Sequence, residues 1–325
     1  MNIFKKIPAF LIILTLGFLV YGCAGTEEDP QPNSGQNGNG GTPTPTVTNC
    51  TDPLATNYNQ DATDDDCSCT YNTNGSVSET LPTSFTKKAV IEYVTATWCG
   101  YCPETSEHVQ TTATTRQDQA YPITLFLSNN LETNMSTYIS QTFAVNAIPK
   151  YIVNRKKINN QFLQSGNPDR FVKNIVGNST TVGLALETAL TSNNEIEVLV
   201  YTGVQAEGKY LIHVVLTEDG MTGYPQTNYY NNDSGSNYYQ KGDPIVDYVH
   251  NSVQLATLTD LAGFEVPGCG LTAGSTYKRM FKLETMPGKM QNKDNLKIVA
   301  FVADKDTGEI LNAQSVKVGQ SHNWD

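Results

Sequence analysis

Two cysteines separated by two residues, in Ala96-Thr97-Trp98-Cys99-Gly100-Tyr101-Cys102-Pro103, are the part of this chain best suited to chemistry. They follow an apolar run of strand character, Ala89-Val90-Ile91-Glu92-Tyr93-Val94, and precede a polar segment able to form a helix. At such a strand-to-helix turn two thiols can close a small disulfide ring. The first thiol would lie near a helix N-terminus, where unpaired N–H groups and the helix dipole favour a thiolate. Cys99 is therefore the candidate nucleophile, and Cys102, further into the helix and less exposed, the candidate resolving thiol. Pro103 suits a first helical turn, where its missing N–H has no intrahelical partner.

Two plainer readings compete. A zinc site needs two more Cys or His ligands, and the four histidines, His108, His213, His250 and His322, form no second spaced pair. No metal is expected at this motif. A structural, unreactive disulfide stays open, because spacing alone does not set a reduction potential.

The elements that must position these thiols occupy part of a 325-residue chain, with room for two ordinary domains beyond a leader and a linker. A net charge of −11, with Lys and Arg scattered, argues against a nucleic-acid-binding protein, which needs a basic stripe. Seven cysteines are present. One, Cys23, belongs to the leader, and an even remainder in an exported chain suggests disulfides. If Cys99 and Cys102 pair, Cys50, Cys67, Cys69 and Cys269 allow three connectivities.

Residues 1–22 carry Lys5-Lys6 and then an apolar core from Ala9 to Tyr21, the pattern of a signal peptide. The ending Leu19-Val20-Tyr21-Gly22-Cys23 resembles a bacterial lipobox, which implies lipidation of Cys23 and a membrane anchor without a spanning helix. Residues 23–48 form a flexible tether, too polar to drive burial. Its Glu27-Glu28-Asp29 cluster resembles the surface-export signal of Bacteroidetes lipoproteins. Residues 49–71 are a small Cys/Asp-rich unit that resembles modules repeated in Bacteroidetes surface proteins, although Cys67 stands where those carry Gly. So short a segment cannot build a core and needs a disulfide staple, with Cys50–Cys69 the first choice. Its carboxylates, Asp61, Asp64, Asp65 and Asp66, are candidate Ca2+ ligands, set against a simple solvated acidic loop.

After a linker at residues 72–86, residues 87–179 read as an α/β domain. The cysteine helix leads to a strand from Tyr121 to Leu127, a helix from about Leu131 to Thr142, and a further strand after Pro149. A hairpin partner at Asn159–Gln164 and a helix from Asp169 to Val176 close it. This order resembles thioredoxin, on the strength of Trp98, Cys99, Cys102, Pro103 and the Ile148-Pro149 step. The resemblance implies a cis bond at Pro149 beside the disulfide, with Trp98, Ile148 and Pro149 positioning an extended substrate. The family's buried acid falls here at Tyr93. Glu92, beside it, is expected on the opposite face as an exposed strand carboxylate, its service as a base left open.

Residues 180–325 read as an all-β antiparallel sandwich, with strands at Val182–Leu190, Glu195–Tyr201, Lys209–Leu216, Tyr277–Leu283, Leu296–Ala303 and Ile310–Val318. The Tyr- and Asn-rich stretch Asn228–Asp243 is a candidate binding loop. His250-Asn251 is expected to be a structural pair. Taken from Lys87 to Val318, the chain resembles the outer-membrane-protein-28-related family of Bacteroidetes lipoproteins. The residues that carry this are Ile91-Glu92-Tyr93-Val94-Thr95, Cys99-x-x-Cys102-Pro103, Tyr248-Val249-His250-Asn251 and Ile298-Val299-Ala300-Phe301-Val302. The resemblance implies a lipid-anchored outer-membrane protein on either face of that membrane, but no settled activity. Two functions follow as expectations. One is a thiol–disulfide oxidoreductase acting on exported proteins or a redox partner. The other is a surface binding or adhesion lipoprotein with a structural disulfide.

Overall fold

A computed structural model of the protein describes residues 46–73 and 75–325. The expected leader, Cys23 and nearly all of the tether lie outside the described residues. The organising strand is β1 (Ala89–Thr95), seven residues that are all buried. Parallel to it runs β2 (Ala120–Phe126), with Ala89 opposite Ala120 and Thr95 opposite Phe126. A parallel pair needs a crossover, and α1 (Cys102–Thr115) supplies it. The sequence Asn134–Thr142 forms α2, which starts where the Thr133 hydroxyl accepts the Ser136 N–H at 3.2 Å, three residues later than expected.

On the other side of β1 lies β3 (Lys150–Val153), antiparallel, with Tyr93 opposite Tyr151. The expected hairpin partner at Asn159–Gln164 makes only single bridges, Tyr151 with Gln164 and Ile158 with Gln161. Between them Asn159 and Asn160 both have positive φ, 52° and 63°, which suits a two-residue turn. Helix α3 is confined to Asp169–Val172, shorter than the expected Asp169–Val176. The chain is drawn out of the helix because Gly177 and Asn178 pair with Lys87, and Ser179–Thr180 with Phe85–Thr86.

The remaining strands longer than two residues are β4 (Val182–Leu190), β5 (Ile196–Val204), β6 (Tyr210–Glu218), β7 (Val253–Thr257), β8 (Ser275–Leu283), β9 (Leu296–Asp304) and β10 (Ile310–Lys317). They fall in two sheets. One has the order β8-β5-β4 and ends on the short strand Ser321–His322. The other runs β10-β9-β6-β7-β2-β1-β3. Strand β7, which periodicity does not reveal, pairs antiparallel with β6 and meets β2 in parallel at Val253–Thr124. The boundary expected at 179/180 therefore does not separate the sheets, and Pro45–Asp325 is one compact unit.

The fold is mostly β, and alternation along its strands builds two main layers of core. Ile212, Val214 and Leu216 of β6 face Leu184, Leu186, Val198 and Val200 across the gap between the sheets. Val215 of β6 turns the other way, into a second cluster with Val90, Val94, Ile123, Leu125 and the α2 residues Met135 and Ile139. Because β1 is covered on both faces, Glu92 is 0% exposed rather than the exposed carboxylate expected from its charge. Arg155, just beyond β3, pairs with it through three N–H···O contacts of 2.8, 3.1 and 3.2 Å.

Disulfides join Cys50 to Cys69 and Cys67 to Cys269. The small Cys/Asp-rich unit is thereby stapled both to itself and to the later chain. Asp52, 1% exposed, accepts the Tyr71 hydroxyl at 2.6 Å and the Met280 N–H of β8 at 3.2 Å, which docks the unit on that strand.

Candidate functional site

The Cys99–Cys102 disulfide sits where β1 hands over to α1, with the two Cα atoms 5.4 Å apart. Two turn hydrogen bonds shape the motif: Cys99 N–H to the Ala96 carbonyl and Cys102 N–H to the Cys99 carbonyl, both 3.1 Å. Pro103 occupies the first turn of α1. Ile148 packs with Ala96, Cys99 and Cys102, and the Ile148–Pro149 bond is cis. The structure thus brings Cys99, Cys102 and Ile148 together, with Pro149 next in line. Trp98 stands on the rim, 53% exposed, as does Tyr101 at 58%.

Both cysteines are buried. Cys99 is 5% exposed and Cys102 1%. Tyr93, on the face of β1 opposite to Glu92, donates its hydroxyl to the Cys102 carbonyl at 2.9 Å. Burial pushes its phenol far above the usual tyrosine range, so at neutral pH it is a neutral donor. The Glu92 carboxylate turns away from Cys102 and is committed to Arg155.

A segment more than a hundred residues downstream completes the site. Gln226, 2% exposed, places its side-chain amide 2.9 Å from the Cys99 carbonyl and 3.3 Å from that of Ala96. The Thr227 N–H donates to the Thr97 carbonyl at 2.8 Å, and the Tyr229 N–H to the Gly100 carbonyl at 3.0 Å. Gly100 is required by this approach, since a β-carbon there would meet the Tyr229 ring at 2.3 to 2.6 Å. Tyr101 meets Tyr229 and Tyr230 edge-on, at 5.2 and 5.8 Å between ring centres.

The Tyr- and Asn-rich stretch is therefore docked on the cysteine turn. Its own framework is dense. Asn228 is 1% exposed, and its side-chain amide donates to the Tyr238 and Gly242 carbonyls, both at 2.9 Å. Asn237 ties the loop to α1 through Glu107 at 2.6 Å. The composition of Asn228–Asp243 marks it as a candidate surface, but nothing local to Gln226 signals contact with Cys99.

His250 and Asn251 are built into the fold near the same place. The Nε2 of His250 lies 2.8 Å from the Tyr224 carbonyl. Its ring stands between Phe126 and Tyr248, with centres 5.2 and 4.8 Å away. Burial pulls its pKa below the ordinary histidine value, against an opposing effect of the Tyr224 carbonyl. The Asn251 carbonyl accepts the Thr124 hydroxyl at 2.9 Å, and its side-chain oxygen accepts the Gly220 N–H at 2.9 Å. A larger open cleft of about 800 Å³, lined by Gln110, Tyr121, Lys297 and Lys317 among others, lies elsewhere along α1 and includes neither cysteine.

In the Asp-rich unit, Asp65 accepts the Thr51 hydroxyl at 2.6 Å and the Cys67 N–H at 2.7 Å. Asp66 accepts the Ser68 N–H at 3.0 Å. Among the described residues, one trio of metal-ligating groups lies close together, Asp65, Cys67 and Cys269. Its two sulfurs are joined in a disulfide.

A mostly β chain with a sheltered Cys-x-x-Cys disulfide is the class that fold and site define. The family model of outer membrane protein Omp28 matches residues 136–322, and the chain belongs to that family. It is accordingly an outer-membrane protein. The matched region contains Ile148, Pro149, Gln226 and His250, and begins after Cys99 and Cys102. Among solved structures, HBP35 of Porphyromonas gingivalis is similar in fold, with a TM-score of 0.57 and 18% identity over 72% of this chain and 76% of that one. A domain of the outer membrane lipoprotein Omp28 from Porphyromonas gingivalis gives a TM-score of 0.28 and 16% identity over 45% of this chain and 92% of that one. No curated protein matches the chain.

Proposed function

We propose that this chain is a lipid-anchored thiol–disulfide oxidoreductase of the outer membrane, acting on exported proteins through a thioredoxin-like arrangement around Cys99 and Cys102. The observation that carries the reading is the Cys99–Cys102 disulfide at the N-terminus of α1, packed against Ile148 ahead of a cis proline. Cys99, the more exposed of the two cysteines, attacks or is attacked. Cys102 resolves, and the Ile148–Pro149 step positions an extended polypeptide. Anchoring through Cys23 belongs to the same proposal.

A second reading draws on the burial of both sulfurs and the docked Tyr-rich loop. In it the disulfide is structural, and the loop is the working surface of a binding or adhesion lipoprotein. Titration of the bond against thiol buffers separates the two. A reduction potential well above about −300 mV, together with loss of exchange in Cys99→Ser, supports the enzyme. A lower potential, or full exchange in Cys99→Ser, removes it in favour of the binding protein.

A further inference from the structure

Resolving a mixed disulfide requires Cys102 to lose its proton, and the cysteine turn itself provides no acceptor. Cys102 is 1% exposed, so bulk water does not reach it freely. Tyr93 is a donor already given to the Cys102 carbonyl, and Glu92 faces the other side of β1, paired with Arg155. A buried thiolate without such help is costly.

Behind Cys102, however, lies a cavity of about 10 Å³, at the lower limit of what one water molecule needs. Cys102 lines it together with Thr95, Ser106, Thr124, Tyr248 and His250. Of these, His250 is the group whose ordinary pKa lies near neutrality. The Tyr224 carbonyl can only accept, so the His250 Nε2 beside it carries the hydrogen. In the neutral ring Nδ1 is then the lone-pair acceptor.

We propose that His250, through one water in this cavity, takes the proton from Cys102 during resolution and returns it in the reverse direction. The inference rests on the thiol–disulfide reading above. In the forward direction the Cys99 thiolate attacks the disulfide of a polypeptide substrate, and the first substrate sulfur leaves as a thiolate. The Cys102 thiol then gives its proton to the water, which delivers one to His250 Nδ1. The Cys102 sulfur attacks the Cys99 sulfur, the bond from Cys99 to substrate breaks, and its electron pair leaves on the second substrate sulfur. The protein dithiol is oxidised to a disulfide and the substrate disulfide is reduced to one thiol and one thiolate, the latter taking from solvent the proton that Cys99 gave up on ionising. The imidazolium finally protonates a departing thiolate.

The surroundings suit a neutral acceptor. The titratable groups around the ring are Cys102 from α1 and Tyr248 and Tyr224 from its own segment, and β1 and β2 present Thr95, Thr124 and Phe126. Burial, opposed by the Tyr224 carbonyl, lowers the imidazole pKa, so the ring is neutral with its Nδ1 lone pair free before the transfer.

The test uses the full reduced chain and its His250→Gln variant, whose side-chain amide can still donate to the Tyr224 carbonyl. Each is mixed with a disulfide-containing peptide, quenched in acid and analysed by mass spectrometry for the Cys99 mixed disulfide. In the variant the adduct should accumulate, with resolution about 100-fold slower at pH 7. Its rate should climb tenfold per pH unit towards the thiol's own pKa, while the wild type stays nearly flat. Resolution in the variant at the wild-type rate with the wild-type pH profile overturns the inference and leaves the exchange reading standing. Failure of the wild type to reduce the peptide disulfide at all removes the exchange reading, and this inference with it. Nitrogen NMR of the wild type gives a check free of any substitution. Hydrogen on Nε2 of neutral His250 is expected, and hydrogen on Nδ1 overturns the inference.

Discussion

Replacing Arg155 with methionine tests the main surprise of the fold, a charge pair sealed beneath a strand whose carboxylate is expected at the surface. The Glu92 side chain is 0% exposed and that of Arg155 9%. Their three contacts, 2.8 to 3.2 Å, spread the guanidinium across both carboxylate oxygens. Arg155→Met keeps most of the stem that packs near the Phe301 ring, whose centre is 5.1 Å from the guanidinium carbon. It leaves Glu92 buried and uncompensated, which costs about 3–5 kcal/mol. Against a total stability of about 5–15 kcal/mol for an ordinary protein, that is a large share. The double variant Glu92→Leu/Arg155→Met removes both charges and should lie within about 1 kcal/mol of wild type, because well-packed apolar replacements of buried pairs are often neutral. Urea unfolding followed by circular dichroism measures all of these as midpoint shifts at constant slope. The reasoning is refuted if Arg155→Met costs less than about 1 kcal/mol, or if the double variant loses at least as much as Arg155→Met alone.

Three further outcomes are expected. Tyr93→Phe removes the hydroxyl that reaches the Cys102 carbonyl and should lower stability by about 1–3 kcal/mol; a thermal melt unchanged from wild type would count against that bond. His213 is 4% exposed and stacked on Phe301, and burial, reinforced by the nearby Arg155, holds its pKa well below the usual value. The unfolded chain therefore binds a proton there below about pH 6.5 that the folded chain does not, so stability is full above that pH and falls as pH drops. His213→Leu should recover about 1.4 kcal/mol of that acid loss at pH 5.5, read from unfolding curves at pH 7.5 and 5.5. Gly100→Ala sets a β-carbon 2.3 to 2.6 Å from the Tyr229 ring, which is 60% exposed and must shift outward with its backbone. Reduction of the Cys99–Cys102 bond by dithiothreitol should quicken, and an unchanged rate would show that Tyr229 does not shield it.

Local pattern made much of the strand content legible. The strands from Val182 to Leu190 and from Leu296 to Asp304 announce themselves by β-branched and apolar runs between turn signals. The adjacency of Cys99 and Cys102 follows from spacing alone. The burial of Glu92 is not legible in the sequence, because alternation assigns a face and says nothing of what covers it. Strand β7 was missed because Val253–Thr257 is only five residues long and mixes Gln and Thr with its apolar positions. Its partners, Leu216 to Glu218 and Thr124, are set by tertiary packing. Gln226 was missed for the same reason. A glutamine in a polar stretch has no local mark, and its role arises where the chain returns to the cysteine turn.

The single-residue junction of β7 with β2 explains how a loop of the later chain comes to lie against an early motif. Thr124 lies at the middle of β2, and the Val253 register fixes the segment that precedes β7, Tyr248 to Asn251, beside the end of β1 and the start of α1. From the same stretch, the Met221–His250 and Gln226–Ile245 bridges fold residues 221–250 back on themselves. That fold carries Gln226 to the Cys99 carbonyl and His250 to the cavity behind Cys102. An apolar loop packed over the disulfide would bury it and do no more. Here the backbone carbonyls of Ala96, Thr97, Cys99 and Gly100 each receive a donor from this segment. A motif whose carbonyls are satisfied in this way is held more rigidly. The two halves read separately from sequence are therefore two contributors to one site, and the sheet that joins them is the reason their geometry can be kept.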